Sequence, residues 1–562
     1  MERPLRREVW LTSRPDAAQA SSDSLTVVLC YPESYELGMS NLGFHAAFRS
    51  FAEHPRVHCE RAFLERGHAL LAEGASAIPG PAETSGSGGS SLETGTPLRD
   101  FDVVAFSVSF EGDYPGLARM LREGGVPLRS SERGASDPVV VVGGVGALLN
   151  AEPVAPFADA VAVGDASALV PPIVASVLST RGAARPERLA SLASVDGVYV
   201  PSLYEVETDD DGTVLGFRAA SGAPLPVRAR AARGRAPVSS VILSPDSYFR
   251  DTFLVETSTG CARACRFCAA GHVYRPVVFH PPEAVLLAAG NALQRAGKVG
   301  LVSAALADHP DVSGILSSLS GLGAEITVSS VHADRVDDGL ARALVSAGVR
   351  TVTLAPETGS ERLRRLVGKP VSDETLLSAC TALSRAGGEA LKLYFMVGLP
   401  GERPDDVESI PGLARRLAEA FASGRPGARV TVGVSVFVPK ARTPFQWLPM
   451  ASESDARRKL SFLRRALSRR PRIEFTASGP REARREGVLA RGGRELASAI
   501  ELLVTSGAPW KSALKRAGVD AACILDTTRR DDEVFPWDIV DVGVPKERLL
   551  ASLTEARSLM KG

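Results

Sequence analysis

The sequence predicts an α/β protein: an N-terminal doubly wound, Rossmann-like domain, then a partial (β/α)6 barrel and a mainly helical C-terminal region. Short β-branched runs alternate with amphipathic segments from residue 25 to about 240, and again from residue 253 to about 450. The chain has 562 residues, which is too long for one ordinary domain. We therefore expect domains at residues 1–240, 241–450 and 451–562.

The overall composition is that of a globular protein and does not indicate a charged partner. Basic and acidic residues balance at 65 each, and 44% of residues are hydrophobic, so no global charge favours nucleic acid or membrane binding. The start of the chain has no apolar signal-peptide region. Apolar runs such as Val139–Val142 are far shorter than the roughly 20 residues that span a bilayer. We expect a cytoplasmic protein with reduced cysteines and no membrane partner.

The N-terminal domain should place ligands at the carboxyl ends of its strands. Its strand candidates are residues 25–31, 102–109, 138–144 and 158–165. In a doubly wound sheet, ligands bind beyond the carboxyl ends of strands, which nominates Gly143, Gly144 and Gly164 as cofactor-binding residues. Tight strand-to-helix turns explain the same glycines equally well.

Two segments of this domain read as connections. Residues 74–97 include Ser85-Gly-Ser-Gly-Gly-Ser-Ser, a composition that predicts a flexible loop. Residues 197–240 combine short β-like runs with a basic stretch from Arg228 to Arg235, and we interpret them as a bridge to the next domain.

The second domain should be a barrel that is open on one side. Its six strand candidates are residues 253–257, 298–303, 325–330, 350–355, 390–397 and 430–438. Intervening segments such as 282–296 and 337–347 have helical periodicity. Reactive residues of parallel barrels lie at the carboxyl ends of the strands, and a cysteine cluster follows the first strand here.

That cluster is Cys261, Cys265 and Cys268, three of the seven cysteines within eight residues. Thiolates spaced C-x3-C-x2-C can converge on a soft metal centre, and cysteine runs hold iron–sulfur clusters. Three ligands on a four-iron cluster would leave one iron open to a substrate. The alternatives are a zinc site, with His272 or His280 as the fourth ligand, and a redox thiol cluster.

The other strand ends supply further candidates. They are Ser303, Ser329, Glu357, Ser360, Arg362, Lys392, Gly398 and Glu402. Glu357, Ser360 and Arg362 flank a helix start, where backbone donors favour an anion such as a carboxylate. Each of these residues could instead be a structural cap or turn residue.

The cysteine spacing, with Phe267 before the last cysteine and a strand before the first, resembles the radical S-adenosylmethionine (SAM) superfamily. The resemblance implies a [4Fe–4S] cluster on the three cysteines, whose open iron binds SAM and cleaves it reductively to a 5′-deoxyadenosyl radical. It also implies an electron donor such as flavodoxin or ferredoxin. Ser303 replaces the usual Gly-Gly-Glu-like contact to the SAM amine, while the turn from Gly398 to Glu402 resembles the segment that contacts adenine.

The resemblance narrows to radical SAM proteins of unassigned function that are fused to a B12-binding domain. It rests on segments 31–43, 268–277, 354–363, 392–400, 437–447 and 487–492. It implies cobalamin in the N-terminal domain and, with cobalamin, methyl transfer to an unknown substrate. The D-x-H-x-x-G motif of many cobalamin proteins is absent from residues 1–240. Either cobalamin binds without that histidine, or the domain keeps the fold without the cofactor.

Two alternative functions remain at this stage. Methylthiotransferases modify RNA or protein and need a second cluster, but only Cys30 and Cys59 precede the motif, and Cys380 and Cys523 stand alone. The other alternative is a non-catalytic Fe–S protein that binds RNA through residues 440–495, which hold 15 Lys/Arg against 6 Asp/Glu. A solvated helix face explains that basic excess as well. In the same region, Leu460, Leu463 and Leu467 form one apolar helical stripe.

Overall fold

The structure is a computed structural model that describes residues 5–12, 23–65, 88–209, 212–232, 234, 236–425, 427–468 and 472–561. The chain divides into two compact units. The first comprises Met1–Asp251, Val488–Ile524 and Arg530–Gly543, and the second comprises Thr252–Gly487, Leu525–Arg529 and Val544–Gly562. This division differs from three consecutive domains, because segments of the predicted C-terminal region 451–562 belong to both units.

The elements are numbered here in chain order. The strands are β1 (Val9–Trp10), β2 (Leu25–Tyr31), β3 (Val57–Phe63), β4 (Val103–Ser107), β5 (Val139–Gly143), β6 (Ala160–Ala162), β7 (Val198–Tyr199), β8 (Tyr204–Thr208), β9 (Val214–Ala219), β10 (Val227–Arg228), β11 (Ile242–Leu243), β12 (Thr252–Glu256), β13 (Ser258–Thr259), β14 (Val278–Phe279), β15 (Lys298–Val302), β16 (Glu325–Val328), β17 (Thr351–Glu357), β18 (Ala390–Val397), β19 (Arg429–Val436), β20 (Ile473–Ala477) and β21 (Val540–Asp541). The helices are α1 (Tyr35–Gly38), α2 (Leu42–Ala52), α3 (Tyr114–Glu123), α4 (Val145–Asn150), α5 (Ala166–Ser179), α6 (Arg185–Ala193), α7 (Ala270–Val273), α8 (Pro282–Leu293), α9 (Val312–Gly321), α10 (Asp338–Ser346), α11 (Glu361–Leu366), α12 (Asp373–Arg385), α13 (Pro404–Ala422), α14 (Glu453–Leu467), α15 (Pro480–Arg491), α16 (Leu496–Ser506), α17 (Trp510–Arg516), α18 (Ala521–Leu525) and α19 (Lys546–Lys561).

The first unit is built on a six-stranded sheet in the order β3-β2-β4-β5-β6-β7. The strands from β2 to β6 pair in parallel, and β7 joins the edge antiparallel to β6. Val27, Val103 and Val139 are among the fully buried residues of its core. The predicted doubly wound sheet is confirmed. Because β7 pairs within it, residues 198–199 belong to this sheet and not to a bridge.

Helices complete this unit in two packed pairs. Helix α2 packs against α5, and α3 packs against α16. The residues of α16, 496–506, come from the predicted C-terminal region, so a helix far along the chain completes the N-terminal unit. Arg129, which follows α3, donates from Nε to Glu501 on α16 at 2.8 Å.

Part of the predicted flexible loop 74–97 is held in place by a buried ion pair. Residues 74–87 lie outside the described part of the chain, but Ser90 and Pro97 form an antiparallel bridge. Between them, Glu93 accepts from Nε of the fully buried Arg61 at 2.6 Å. Residues 88–97, the described part of the predicted flexible loop, thus supply a carboxylate partner to the buried Arg61.

The second unit contains the predicted parallel strands of the barrel and one more. Strands β12, β15 and β16 form one parallel sheet, and β17, β18, β19 and β20 form another. A single parallel bridge between Val331 and Leu354 connects the two sheets. All six predicted strands are present, and β20 adds a seventh inside the region that we expected to be mainly helical. The partial barrel thus extends beyond residue 450.

Helices follow the strands of this unit as the periodicity predicts. Leu460, Leu463 and Leu467 of α14 are buried, which confirms the predicted apolar stripe. Arg464 of the same helix lies over the ring of Phe475 on β20, 5.6 Å from its centroid. Among the described residues, none of the helices combines the length and the apolar character that a membrane span requires.

Candidate functional site

The cysteine loop lies directly after the first barrel strand, at its carboxyl end. Strand β12 ends at Glu256, and the chain turns at Gly260, whose φ is +80°. A side chain at Gly260 would lie 2.2 Å from the carbonyl oxygen of Tyr274, so only glycine allows the loop to close here. The loop therefore projects its thiols at the edge of the barrel where chemistry is expected.

The three thiols are free and close enough to influence one another. Cys261 and Cys265 are buried, Cys268 is half-buried, and none of the three forms a disulfide. Burial raises the pKa of Cys265 to about 12, and the neighbouring thiols Cys268 and Cys261 raise it as well. Burial also raises the pKa of Cys261 and of Cys268.

Backbone donors around the loop favour the thiolate form that a metal requires. The N–H of Arg263 donates to Sγ of Cys261 at 3.4 Å. Hydrogen bonds from the backbone of Ala270 and Gly271 lower the pKa of Cys268, opposing the larger effect of burial. Such N–H···S contacts stabilise cluster thiolates. Three free thiols with these donors fit a cluster that takes one thiolate at each of three corners.

The histidines named for a zinc site have other partners. Nε2 of His272 lies 3.2 Å from the carbonyl oxygen of Cys265, and Nε2 of His280 lies 3.2 Å from Oε2 of Glu256. Within the described ranges, no three His, Cys, Asp or Glu side chains form a group that would hold a single metal ion. Neither histidine supports the zinc alternative.

A network of charged residues surrounds the loop on one side. Arg263, inside the motif, binds Asp308 through two nitrogens at 2.8 and 2.7 Å and Asp334 through a third contact at 2.7 Å. His332 lies close by, and burial, Lys369 and Arg263 lower its pKa to about 4. Its buried Nδ1 has no hydrogen-bond partner among the described residues. Sequence reasoning missed these residues, although Arg263 stands within the cysteine motif itself.

Glu357 and Lys369 form an ion pair beside the thiols. Nζ of Lys369 lies 2.7 Å from Oε1 of Glu357, at the carboxyl end of β17. Lys369 lowers the pKa of Cys265 and of Cys268, whereas Glu357 raises both. Glu357 has a φ of +66°, a left-handed conformation that is rare outside glycine and clusters at functional sites. The sequence nominated Glu357 but not Lys369, which follows α11 in a Gly-Lys-Pro turn.

The predicted serines form a short chain of hydrogen bonds across adjacent strand ends. Oγ of Ser303 lies 2.6 Å from Oγ of Ser258, and Oγ of Ser329 donates to the carbonyl of Ser303 at 2.7 Å. The amide of Ala305 also donates to the Ser303 hydroxyl, at 3.0 Å. Ser303 and Ser329 thus lie together, and Ser258 was not predicted.

Ser360 and Arg362 are occupied within the chain. The Ser360 hydroxyl caps α11 by accepting from the amide of Leu363, and it donates to Asp406. Arg362 donates to Asp406 and, at 2.8 Å, to the carbonyl oxygen of Gly401. The carboxylate of Asp406 therefore takes the place of the anion that these two side chains were expected to bind. The alternative role of a structural cap or turn residue therefore explains the contacts of both Ser360 and Arg362.

The turn after β18 is closed by Glu402. Its carboxylate accepts from the amide of Gly398 at 3.0 Å and pairs with Nζ of Lys459 at 2.6 Å. Gly398 has a φ of +80°. Burial raises the pKa of Glu402, and Lys459 opposes that effect. The Glu402 carboxylate thus holds the turn in place through these hydrogen bonds. A ligand at this position would contact the backbone of the turn.

Lys392 and Tyr394 lie on the exposed face of strand β18. Burial alternates along this strand, with Leu391, Leu393 and Phe395 buried and Lys392 and Tyr394 exposed. Tyr394 is 46% exposed, and its ring lies over Gly433 of β19, where a side chain would come within 2.9 Å of two ring carbons. Lys392 pairs in register with Thr353 and Thr431. Phe267, beside the last cysteine, is half-buried. The exposed face of the four-stranded sheet is therefore polar, with one aromatic ring.

Three of the four cysteines outside the loop are core residues, and the fourth, Cys523, is half-buried. Cys30 lies in β2 and Cys59 in β3, both buried, and burial raises the pKa of each. Burial likewise raises the pKa of Cys380, in α12, to about 12. Thiols of this kind are inert. They do not support the second cluster of a methylthiotransferase.

In the first unit, two of the three predicted glycines make room for the chain itself. A side chain at Gly144 would lie 2.4 Å from the carbonyl oxygen of Val108, and one at Gly164 would lie 2.0 Å from that of Arg230. Gly143 would make only ordinary contacts, the nearest with Ala162 at 3.6 Å. The close backbone approach at Gly144 and Gly164 is therefore structural.

The sheet order places a topological switch point elsewhere in this unit. Strands β2 and β4 are neighbours whose connections run to opposite sides, and ligands of doubly wound sheets bind at such a switch point. Phe110 follows β4 and is 61% exposed. His45, in the helix after β2, is fully buried, with Nε2 donating to the carbonyl of Met39 at 3.0 Å and Nδ1 accepting from the amide of Val241 at 3.3 Å. Both its nitrogens are used, so His45 is not a free metal ligand.

Many basic residues of the 440–495 region have acidic partners. Lys440 pairs with Glu486 at 2.6 Å, and Arg484 pairs with Asp526 at 2.9 Å. Arg485 and Arg491 are buried. Arg469 and Arg470 lie outside the described residues. These pairings are what a solvated helix surface would show.

A parallel partial barrel whose first strand leads into a loop of three free cysteines is the arrangement expected of an iron–sulfur barrel protein. The comparisons give its family. Residues 255–413 match the radical SAM superfamily, and residues 43–201 match the family described as radical SAM proteins, N-terminal. The chain belongs to the radical SAM superfamily, which confirms the resemblance carried by the cysteine motif.

Three proteins illustrate what the chain is similar to. The uncharacterized protein MJ0966 of Methanocaldococcus jannaschii is 26% identical over 424 residues, covering 73% of this chain and 82% of that protein. The methyltransferase TsrM of Kitasatospora setae, solved with cobalamin and a [4Fe–4S] cluster, is 14% identical over 76% of each chain with a TM-score of 0.47. The cobalamin-dependent enzyme OxsB, solved with aqua-cobalamin and SAM, is 13% identical over 96% of this chain and 79% of its own, with a TM-score of 0.45.

Proposed function

We propose that the chain is a radical SAM enzyme that binds one [4Fe–4S] cluster through Cys261, Cys265 and Cys268. The observation that carries this proposal is the set of three free thiols with backbone N–H···S donors at the carboxyl end of the first barrel strand. When bound, such a cluster supplies the electron that cleaves SAM to methionine and a 5′-deoxyadenosyl radical. Family membership supports the same conclusion.

The surrounding residues fit the binding of SAM at this edge of the barrel. The hydroxyls of Ser258, Ser303 and Ser329 offer polar contacts across three strand ends. The ammonium of Lys369 supplies positive charge beside the thiols, where a carboxylate group of SAM needs a partner. The backbone of the turn from Gly398 to Glu402 is held open by the Glu402 carboxylate for an adenine ring.

The substrate would lie on the exposed face of the four-stranded sheet. Tyr394 offers a flat ring there, supported by Gly433, and Lys392 offers a positive charge between two threonines. These are the groups that would orient a substrate with a planar or anionic part.

We further propose that the first unit binds cobalamin at the crevice between β2 and β4, without a histidine ligand. The switch point and the exposed ring of Phe110 support the location, and the two internal hydrogen bonds of His45 support the absence of a ligand from that helix. Bound cobalamin would supply a carrier for methyl transfer. TsrM and OxsB, to which the chain is similar, were both solved with cobalamin bound.

The first experiment tests the cluster. The purified chain is reconstituted anaerobically with iron and sulfide, and its iron, sulfide and cobalt contents are measured. We expect about four irons per chain. Cys265→Ala should lose the four-iron spectrum, and Cys380→Ala, which removes a core thiol of similar burial, should keep it. A four-iron spectrum that persists in Cys265→Ala would contradict the ligand assignment.

The second experiment tests the reaction. The reduced, reconstituted protein is incubated with SAM, and 5′-deoxyadenosine and S-adenosylhomocysteine are quantified. Flavodoxin or ferredoxin serves as the electron donor, with dithionite as a chemical control. 5′-Deoxyadenosine indicates radical chemistry, and S-adenosylhomocysteine together with cobalt indicates methyl transfer. A protein that holds four irons but consumes no SAM with any reductant would refute the enzymatic proposal.

A non-catalytic RNA-binding protein is the second candidate. The basic excess of residues 440–495 favours it, and the ion pairs of Lys440 and Arg484 weigh against a free basic surface. Electrophoretic retardation of a total RNA preparation at 150 mM salt distinguishes the two candidates, because phosphate binding depends steeply on salt. We expect no retardation at that salt.

A further inference from the structure

The Arg266 side chain, inside the cysteine motif, is buried and held at every nitrogen. It lies between Cys265 and Cys268 in the sequence and is 6% exposed. Nη1 donates to the carbonyls of Arg365 and Leu366 at 3.1 and 2.6 Å, at the C-terminal end of α11. A guanidinium at a helix C-terminus also interacts favourably with the helix dipole.

The other two nitrogens of Arg266 bind the C-terminal helix, α19. Nε donates to the carbonyl and to Oγ of Ser552 at 3.0 and 3.1 Å. Nη2 pairs with Oε2 of Glu555 at 2.7 Å. One side chain therefore joins the cysteine loop, the end of α11 and the middle of α19.

The backbone of the same residue is fixed as well. The amide of Arg266 donates to the carbonyl of Val367 at 2.9 Å, and its carbonyl accepts from the amide of Phe445 at 3.2 Å. Gly368, with a φ of +76°, lies where a side chain would come within 3.0 Å of the Ala264 carbonyl. These backbone contacts thus fix the cysteine loop against the turn after α11.

Helix α19 reaches a second part of the proposed SAM site near its end. Met560 packs against Gly401, where a side chain would lie 2.7 Å from Cγ of Met560. Gly401 belongs to the turn between Gly398 and Glu402 and has a φ of +71°. The same helix therefore contacts both the cysteine loop, through Arg266, and the turn proposed to hold adenine, through Met560.

We infer that α19 is a clamp that fixes the cluster loop and the SAM turn relative to each other, and that Arg266 is its positioning residue. The inference rests on the proposed function. Cluster corners tolerate little displacement of their thiolates, and a flexible loop would hold iron weakly. The guanidinium supplies three donors in fixed directions, which lysine cannot reproduce. The C-terminal helix is thereby part of the cofactor site.

The test compares two variants with two matched controls in the full-length, anaerobically reconstituted chain. Arg266→Lys keeps the positive charge but loses the planar guanidinium and its fixed N–H donors. Met560→Ala removes the contact with Gly401. The controls are Arg365→Lys, an arginine that is 59% exposed on α11, and Leu559→Ala, 39% exposed beside Met560. The readouts are iron content after gel filtration, the EPR spectrum of the reduced cluster with and without SAM, and the dissociation constant for SAM.

We expect Arg266→Lys to retain several-fold less iron and to show an altered EPR spectrum. Met560→Ala should keep its iron and bind SAM several-fold more weakly, and both controls should match the wild type. If the two variants load iron, respond to SAM and bind it as the wild type does, the clamp is refuted while the proposed function stands. If Arg266→Lys does not fold, Met560→Ala decides alone. A wild type that takes up no iron would refute the proposed function and the clamp together.

Discussion

Nζ of Lys369 lies 2.7 Å from Oε1 of Glu357, and both side chains influence the Cys265 thiol in opposite directions. Burial has the largest effect and raises the pKa of the Cys265 thiol. The Lys369 ammonium lowers this pKa, and the Glu357 carboxylate raises it. The pair is largely shielded from solvent, since the two side chains are 11% and 12% exposed. A paired charge beside a metal site can tune that site without binding it.

Lys369→Met should make the reconstituted cluster harder to reduce. Removing a nearby positive charge leaves the reduced cluster, which carries the additional electron, less stabilised. We expect the midpoint potential to fall by tens of millivolts in an EPR-monitored redox titration. Lys298→Met, at an exposed pair with Glu325, is the control and should leave the potential unchanged. A potential that does not move in Lys369→Met would show that the ammonium is screened from the cluster.

Glu357→Gln should shift the potential in the opposite direction. Loss of the carboxylate leaves the Lys369 ammonium unpaired, so the reduced cluster gains stabilisation and the midpoint potential rises. The double variant Glu357→Gln/Lys369→Met should lie between the two single variants. The same redox titration measures all three proteins. Shifts of equal sign in the two single variants would contradict an electrostatic origin.

Tyr394→Ala should uncouple SAM cleavage from the substrate. The ring is exposed on the face proposed for the substrate and does not contact the cysteine loop in any described interaction, so cluster loading and basal SAM cleavage should be unchanged. A deproteinised cell extract should stimulate 5′-deoxyadenosine formation by the wild type and not by the variant. Tyr248→Ala, at a 62% exposed tyrosine of the first unit, is the control. Equal stimulation of Tyr394→Ala and the wild type would exclude this face.

His45 should make the chain less stable in acid. Burial lowers its folded pKa to about 4, against about 6.5 when unfolded, because a second proton on Nδ1 would face the amide of Val241. The stability it contributes is therefore complete above about pH 6.5 and is lost as pH falls towards 4. We expect the urea midpoint to fall between about pH 7.5 and pH 5, and to fall less in His45→Gln. His54→Gln, at a half-buried histidine just after α2, is the control and should show the wild-type pH dependence.

Arg61→Met should strongly destabilise the first unit. Arg61 is fully buried, binding Glu8 through two nitrogens at 2.8 Å and Glu93 through a third at 2.6 Å. Its removal leaves the buried carboxylates of Glu8 and Glu93 without a cation, with only the Tyr35 hydroxyl on Glu8 and the amide of residue 61 on Glu93 as donors among the described residues, which costs about 3 to 5 kcal/mol. Urea denaturation followed by circular dichroism should show this loss, and Arg99→Met, at a 63% exposed arginine, should show little change. A loss below about 1 kcal/mol would mean that the carboxylates become solvated.

The sequence predicted the strands because each strand buries a short β-branched run, and this local property survives in the fold. It also predicted the cysteine loop, since three cysteines on one short segment need no tertiary information to be recognised. The sequence pattern around Ser360 and Arg362 did not predict which groups their side chains bind. Their hydroxyl and guanidinium meet Asp406, a residue more than 40 positions away, which no local pattern reveals.

Two features at the edges of the domains also required the structure. Strand β20 lies in a segment flanked by helices, and its pairing with β19 is what makes it the seventh strand. The turn residue Lys369 carries no sequence signal beyond a Gly-Lys-Pro turn, yet the packing of α11 on the cysteine loop brings it beside the thiols.

The sequence by itself determined the class of this protein: parallel α/β architecture, three cysteines on one loop, and membership of the radical SAM superfamily. Only the tertiary structure decided which polar residues remain for a ligand and which are used by the chain, because hydrogen bonds between distant segments satisfy side chains that look free in the sequence. It also decided that the last helix contacts the cysteine loop, since Arg266 binds Ser552 across 286 positions of the chain.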